Sequence, residues 1–222
     1  LRDYQIPGAY CFWMLVHNSS IYKLCHFLFP LLISIPYVST IYSDIKGNYI
    51  YNITSRTNKK NYYISKLITQ FIVGMTVVAF SLISSFILTA AVLPLEHPTK
   101  ASAEYPLSVQ KAFPQLFYNH PLIAVIIFII IESVIFGIIG CIGFVFAYLL
   151  NNMIMVILST FIIYYMDFIL SNLYGRYGCL MTASKIAILH KEWIMGLVIE
   201  LIIIIVVELV ACMIMINKKD II

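Results

Sequence analysis

A chain of 222 residues that is 62% hydrophobic and 11% charged, with a mean hydropathy of +0.95, is not an ordinary soluble domain; those run nearer half apolar and a quarter charged. The composition fits an all-α, polytopic membrane protein with room for five or six helical spans and none for a separate soluble domain. The net charge of +4 sits mainly in loops, where it orients the chain in the lipid bilayer rather than binding nucleic acid.

Residues 1–23 are amphipathic and aromatic and read as an outer interfacial segment. The first span is expected from Leu24 to Tyr42, kinked at Pro30 and Pro36. The stretch that follows, Asp44 to Lys66, contains Lys46, Arg56, Lys59, Lys60 and Lys66, and no acid after Asp44. A loop this basic between two spans stays on the cytoplasmic side. The second span runs from Leu67 to Leu93. The loop 94–121 then lies outside, where Glu96, Lys100, Glu104 and Lys111 cancel.

The third span, Leu122 to Leu149, carries Gly137, Gly140 and Gly143, which offer either a place to break or small faces for close packing. The fourth runs from Met153 to Leu170, followed by an outer or re-entrant loop, 171–192. The fifth runs from Trp193 to Ile216, and its Lys218–Lys219 tail places the C-terminus in the cytoplasm. This topology needs an outer N-terminus, so a further span upstream of Leu1 is expected, giving six in the intact chain.

Residues 29–68 carry a more specific pattern. A span ends in an acid, Asp44, with Gly47 just beyond it; the apolar-aromatic stretch Tyr49, Ile50, Tyr51 follows. Arg56 stands in a polar turn, Lys60 follows, and an aromatic (Tyr62 or Tyr63) and Lys66 lead into the next span. This stretch resembles the type-2 ABC transporter permeases, the membrane subunits of bacterial ABC exporters. The resemblance implies that the loop 45–66 carries a coupling helix seated in a groove of a separate ABC ATP-binding subunit. It implies a second permease copy or paralogue, and a site in the bacterial cell membrane. By the same resemblance the substrates are peptides, antibiotics or other amphipathic molecules. Residues Asn48 to Ile53 offer Tyr and Ile as an apolar knob for a partner pocket, and Tyr and Arg are favoured interface anchors. The plainer reading is a basic loop obeying the orientation rule, with Tyr at headgroup level. The chain has no GxxxxGK[ST] sequence, so no cofactor is expected here; ATP and Mg belong to the partner, and the chain is not an enzyme by itself.

Four acids, Glu132, Asp167, Glu200 and Glu208, fall inside expected spans. Each costs about 2.5–3.5 kcal/mol at mid-helix on insertion scales, so each should face protein or water. They either line a substrate path or hold helices together by hydrogen bonds. A proton-coupled secondary transporter would use the same acids. An intramembrane enzyme would need a His or Ser partner at mid-membrane. The histidines His17, His26, His97, His120 and His190 read as outer and peripheral, with spacings that match no metal site. The five cysteines are scattered and form no disulfide or zinc pattern.

Overall fold

In a computed structural model, residues 8–16, 20–47, 49–54, 56–98, 114–173 and 194–217 are described. Among them the chain is helical, with no strand. The helices are α1 (Ala9–Val16), α2 (Ser20–Lys46), α3 (Tyr49–Thr54), α4 (Lys59–Val92), α5 (Pro114–Asn119), α6 (Pro121–Leu149), α7 (Met153–Leu173) and α8 (Ile194–Asn217). Five of them, α2, α4, α6, α7 and α8, are long and apolar enough to cross a membrane. They alternate in direction, so α2, α6 and α8 run parallel to one another and antiparallel to α4 and α7. Residues 1–7, 99–113 and 174–193 and the tail 218–222 lie outside the described residues, and with them most of both expected outer loops.

The helix ends differ from the expected spans. α2 continues through Asp44 to Lys46, and α4 begins at Lys59 rather than Leu67. The reason is a cap: the Asn58 side chain accepts the Lys60 N–H at 3.0 Å, so a helix starts two turns before the apolar run. At 1.5 Å per residue, α4 is about 51 Å long against a hydrocarbon core of about 30 Å, so it projects well past the bilayer. The expected loop 45–66 is therefore mostly helix. In α2, the Ser34 hydroxyl donates to the Pro30 carbonyl at 2.7 Å and also reaches the Ile157 carbonyl of α7 at 3.2 Å. Polar bonding around the proline turn thus joins two helices.

α6 is the central helix, packed against α2, α4, α7 and α8. It is unbroken, so Gly137, Gly140 and Gly143 serve as packing faces and not as a break. A Cβ on Gly74 of α4 would lie 3.2 Å from the Gly137 Cα; one on Gly143 would lie 2.7 Å from Val38 Cγ2 of α2 and 3.0 Å from Thr160 Oγ1 of α7. Helix backbones can come this close only where a side chain is missing. Gln70, fully buried, donates through Nε2 to the carbonyls of Ile33 and Gly140, both at 3.2 Å, and so ties α4 to α2 and α6.

Two apolar clusters fill the bundle. One, at the end carrying α1 and α5, holds Trp13, Phe29, Phe117, Phe128, Phe136 and Tyr164 among others. There α1 is fixed by the Ala9 N–H on the Pro94 carbonyl at 2.8 Å and by Tyr10 and Trp13 against Phe86. The other cluster, at the α3 end, holds Val38, Ile41, Tyr62, Tyr63, Phe144 and Met215.

Replacing Gly143 by Leu should destabilise the bundle by about 1–3 kcal/mol through overpacking against Val38 and Thr160. The gain of about 1 kcal/mol from removing a helical glycine offsets only part of this. Unfolding in mixed micelles, compared with Gly143→Ala, measures the difference.

Candidate functional site

The foot of the α2–α4 hairpin is built from the residues the sequence singles out. Lys66 Nζ donates to Asp44 Oδ2 at 2.6 Å, and both side chains are about one-fifth exposed, at 19% and 20%. The Tyr62 hydroxyl donates to the same oxygen at 3.3 Å. The Lys66 ammonium also lies 5.2 Å from the Tyr37 ring centre and 5.7 Å from that of Tyr62. A partly dehydrated carboxylate is thus matched by one cation and one hydroxyl, and the cation is in turn flanked by two rings. Asp44 stands in the last turn of α2 and Lys66 two turns into α4, so this cluster closes the hairpin.

α3 lies across that foot. Ile50 and Ile53, three residues apart, share one side of the helix and pack on the inner cluster with Tyr62 and Tyr63. The same turn sends Tyr49 and Asn52 outward, with Tyr49 54% exposed. The expected knob of alternating Tyr and Ile is therefore split: a helix has period 3.6, so Ile anchors it and Tyr49 faces solvent. Tyr51 falls on α3 as well. The Arg56 and Thr57 N–H groups bond to the Ile53 carbonyl at 3.0 and 2.9 Å, which closes the turn and leaves the Arg56 side chain exposed. Tyr49, Asn52, Arg56 and Thr57 line an open hollow above Ile53. Lys60 is exposed on the projecting turn of α4.

Gly47 makes the reversal out of α2. Its N–H bonds to the Ser43 carbonyl at 2.8 Å, and a Cβ there would meet that oxygen at 2.9 Å. A second tie holds the foot. The Tyr42 hydroxyl donates to the Asn151 carbonyl at 2.6 Å, and Lys46 Nζ donates to the Asn151 side chain, so the α6–α7 turn is joined to α2.

The sequence-marked residues therefore separate into two groups. Gly47, Tyr49, Arg56 and Lys60 form an exposed surface. Asp44 and Lys66 face each other, while Ile50 and Tyr63 face the core, with Tyr63 3% exposed against the Phe144 ring. The second group supports the surface from beneath.

The four acids are spread through the bundle. Glu132 is 1% exposed in the middle of α6, and Glu208 is 6% exposed on α8, its Oε1 without a hydrogen-bond partner. Asp167 and Glu200 are partly buried. One expectation is corrected: His26 is not peripheral but fully buried within α2, with its ring 5.2 Å from those of Phe29 and Phe136. The apolar residues around it give an imidazole near the end of a span room to turn inward. Sequence reasoning also missed Gln70. A lone amide in an apolar helix is a bridge by the same rule that marks intramembrane acids.

Asp44→Ala and Lys66→Ala should each cost about 1.5–3 kcal/mol, the worth of a charged hydrogen bond. The double variant should lose less than their sum in a thermal-unfolding cycle. Added salt should change the coupling little, because the pair is partly buried.

No family model matches this chain, and neither a curated protein nor a solved structure is similar to it.

Proposed function

We propose that the chain is the membrane-spanning subunit of an ATP-driven ABC exporter, and that α3 with Arg56 is where a separate ATP-binding subunit docks. The observation that carries this reading is the division of labour at the hairpin foot. Ile50 and Ile53 bind α3 to the bundle, while Tyr49, Asn52 and Arg56 are left on an open hollow. A partner that grips Tyr49 and Arg56 therefore pulls on α2 and α4 together, through the Asp44–Lys66 pair. Tyr and Arg in such a hollow are the side chains that most often anchor an interface. The basic surround, Lys59, Lys60 and Arg56, favours the cytoplasmic side of a bacterial cell membrane, where ATP is available. Passage of a peptide, antibiotic or other amphipathic cargo, in a pair of such subunits, completes the reading.

The buried acids favour a second reading, a proton-coupled transporter with no ATPase. The two are separated by reconstitution. A photo-crosslinker at position 52 should capture a polypeptide bearing a GxxxxGK[ST] loop, and Tyr49→Ala and Arg56→Glu should each weaken that complex about 10-fold or more, or about 1.4 kcal/mol. Folding of the bundle, followed by thermal unfolding, should be unchanged. Transport that persists without ATP and collapses with the proton gradient would sink the exporter reading.

A further inference from the structure

Two helices bring an ionisable side chain level with the middle of α6, on the side that carries Glu132. α2 runs parallel to α6, with Phe29 on Phe136, Ile33 on Gly140 and Val38 on Gly143. In that register His26, three residues before Phe29, is level with Ser133, three before Phe136. α7 runs antiparallel, with Thr160 on Gly143 and Tyr164 against Phe136. Asp167, three residues beyond Tyr164, therefore reaches the level of Ser133 too. α8 runs parallel and brings Glu208 within electrostatic range of Cys141, which stands nine residues and so half a revolution from Glu132. Glu200, eight residues before Glu208, is thus level with Ser133 but across α6 from Glu132. Glu132 is the neighbour of Ser133.

Facing agrees with level. The His26 ring meets Phe136 at 75° and 5.2 Å, and Phe136 stands one turn from Glu132 on the same side of α6, its ring leaning back over that turn. Asp167 shares a side of α7 with Thr160 and Tyr164. Around this layer α7 also supplies Tyr164, α1 supplies Tyr10 and Cys11 nearer the end, and α4 from Met75 to Ile83 supplies no ionisable group.

The size of the space limits the ligand. His26 and Glu132 are 0% and 1% exposed, and the groove between α4 and α6 reaches Ser133 without including Glu132. Among the described residues no group of three ligating side chains could hold a metal ion. A proton needs neither cavity nor cage, and an imidazole changes charge within the physiological range. A buried charge is tolerated only beside its opposite, which an imidazolium and a carboxylate supply to each other.

We infer that His26 and Glu132 form the centre of a proton-binding site, with Asp167 as its flanking carboxylate. One bound proton makes His26 an imidazolium opposite the Glu132 carboxylate and draws α2 to α6. Its release, through Asp167 to water, returns a neutral imidazole and leaves the Glu132 carboxylate without its counter-charge, so the bundle loses stability as the pH rises. This site stands apart from the α3 surface and does not depend on any ATPase.

The test is thermal unfolding of the purified full chain in detergent from pH 5 to pH 8, the range in which histidine titrates. The wild type should show a melting temperature that falls by several degrees as the pH rises across that range. His26→Gln and Glu132→Gln should each flatten the profile, and the double variant should be no worse than the more damaged single one. His120→Gln, at an exposed site, should leave the profile intact. Asp167→Asn removes a partly buried group and should displace the profile along the pH axis, which keeps the test open if the buried variants fail to fold; Glu200→Gln, across α6, should leave it in place. A flat wild-type profile overturns the site, as does a profile kept by both buried variants or left undisplaced by Asp167→Asn. Additive losses in the double variant, or loss of the profile in His120→Gln, overturn it equally.

Discussion

The rest of the bundle depends on how closely α6 approaches its neighbours. Without side chains at Gly137, Gly140 and Gly143, α6 lies almost backbone to backbone with α4 at Gly74 and takes Ile33 and Val38 of α2 and Thr160 of α7 against its own backbone. Apolar side chains gain nothing from meeting one another in lipid, so dispersion contacts and internal hydrogen bonds must hold such helices together. Closeness supplies both. It lets Gln70 reach two carbonyls on two other helices, and it lets Phe136 meet Phe29, His26 and Tyr164.

From that centre the bundle is finished differently at its two ends. At one end aromatic residues close it: α1 lies under Pro94 with Trp13 and Tyr10 on Phe86, and Phe117 of α5 is fully buried. At the other end charge and hydrogen bonding close it, through Asp44, Lys66 and Tyr62 on one side and Asn151 on the other. The polar end is the one that carries the exposed Tyr49 and Arg56.

Much of this was legible in the sequence. Apolar length alone located five spans, because a membrane leaves helix as the answer for any long apolar run outside a closed barrel. The loop residues that stand in order from Asp44 to Lys66 do assemble at one place. What could not be read was direction. Asp44 and Lys66 look like two exposed charges until α2 and α4 are both extended by helix, which for α4 the Asn58 cap decides. Ile50 and Tyr49 look equivalent until α3 is seen to be a helix. His26 looks peripheral because a span boundary fixes its depth but not the side of the helix it stands on. Hydropathy measures how far along a segment lies, and rotation about its axis is set by partners that are distant in sequence.

The length of α4 has a mechanical meaning. Its closest contact with α6, at Gly74, lies near the middle of the helix, with the α3 foot about 22 Å away on one arm and Val92 about 27 Å away on the other. Met75 and Phe71 of α4 close around Gly137, so the two helices are keyed together at this level. One helix thereby belongs to both ends of the bundle, the polar foot and the aromatic cap.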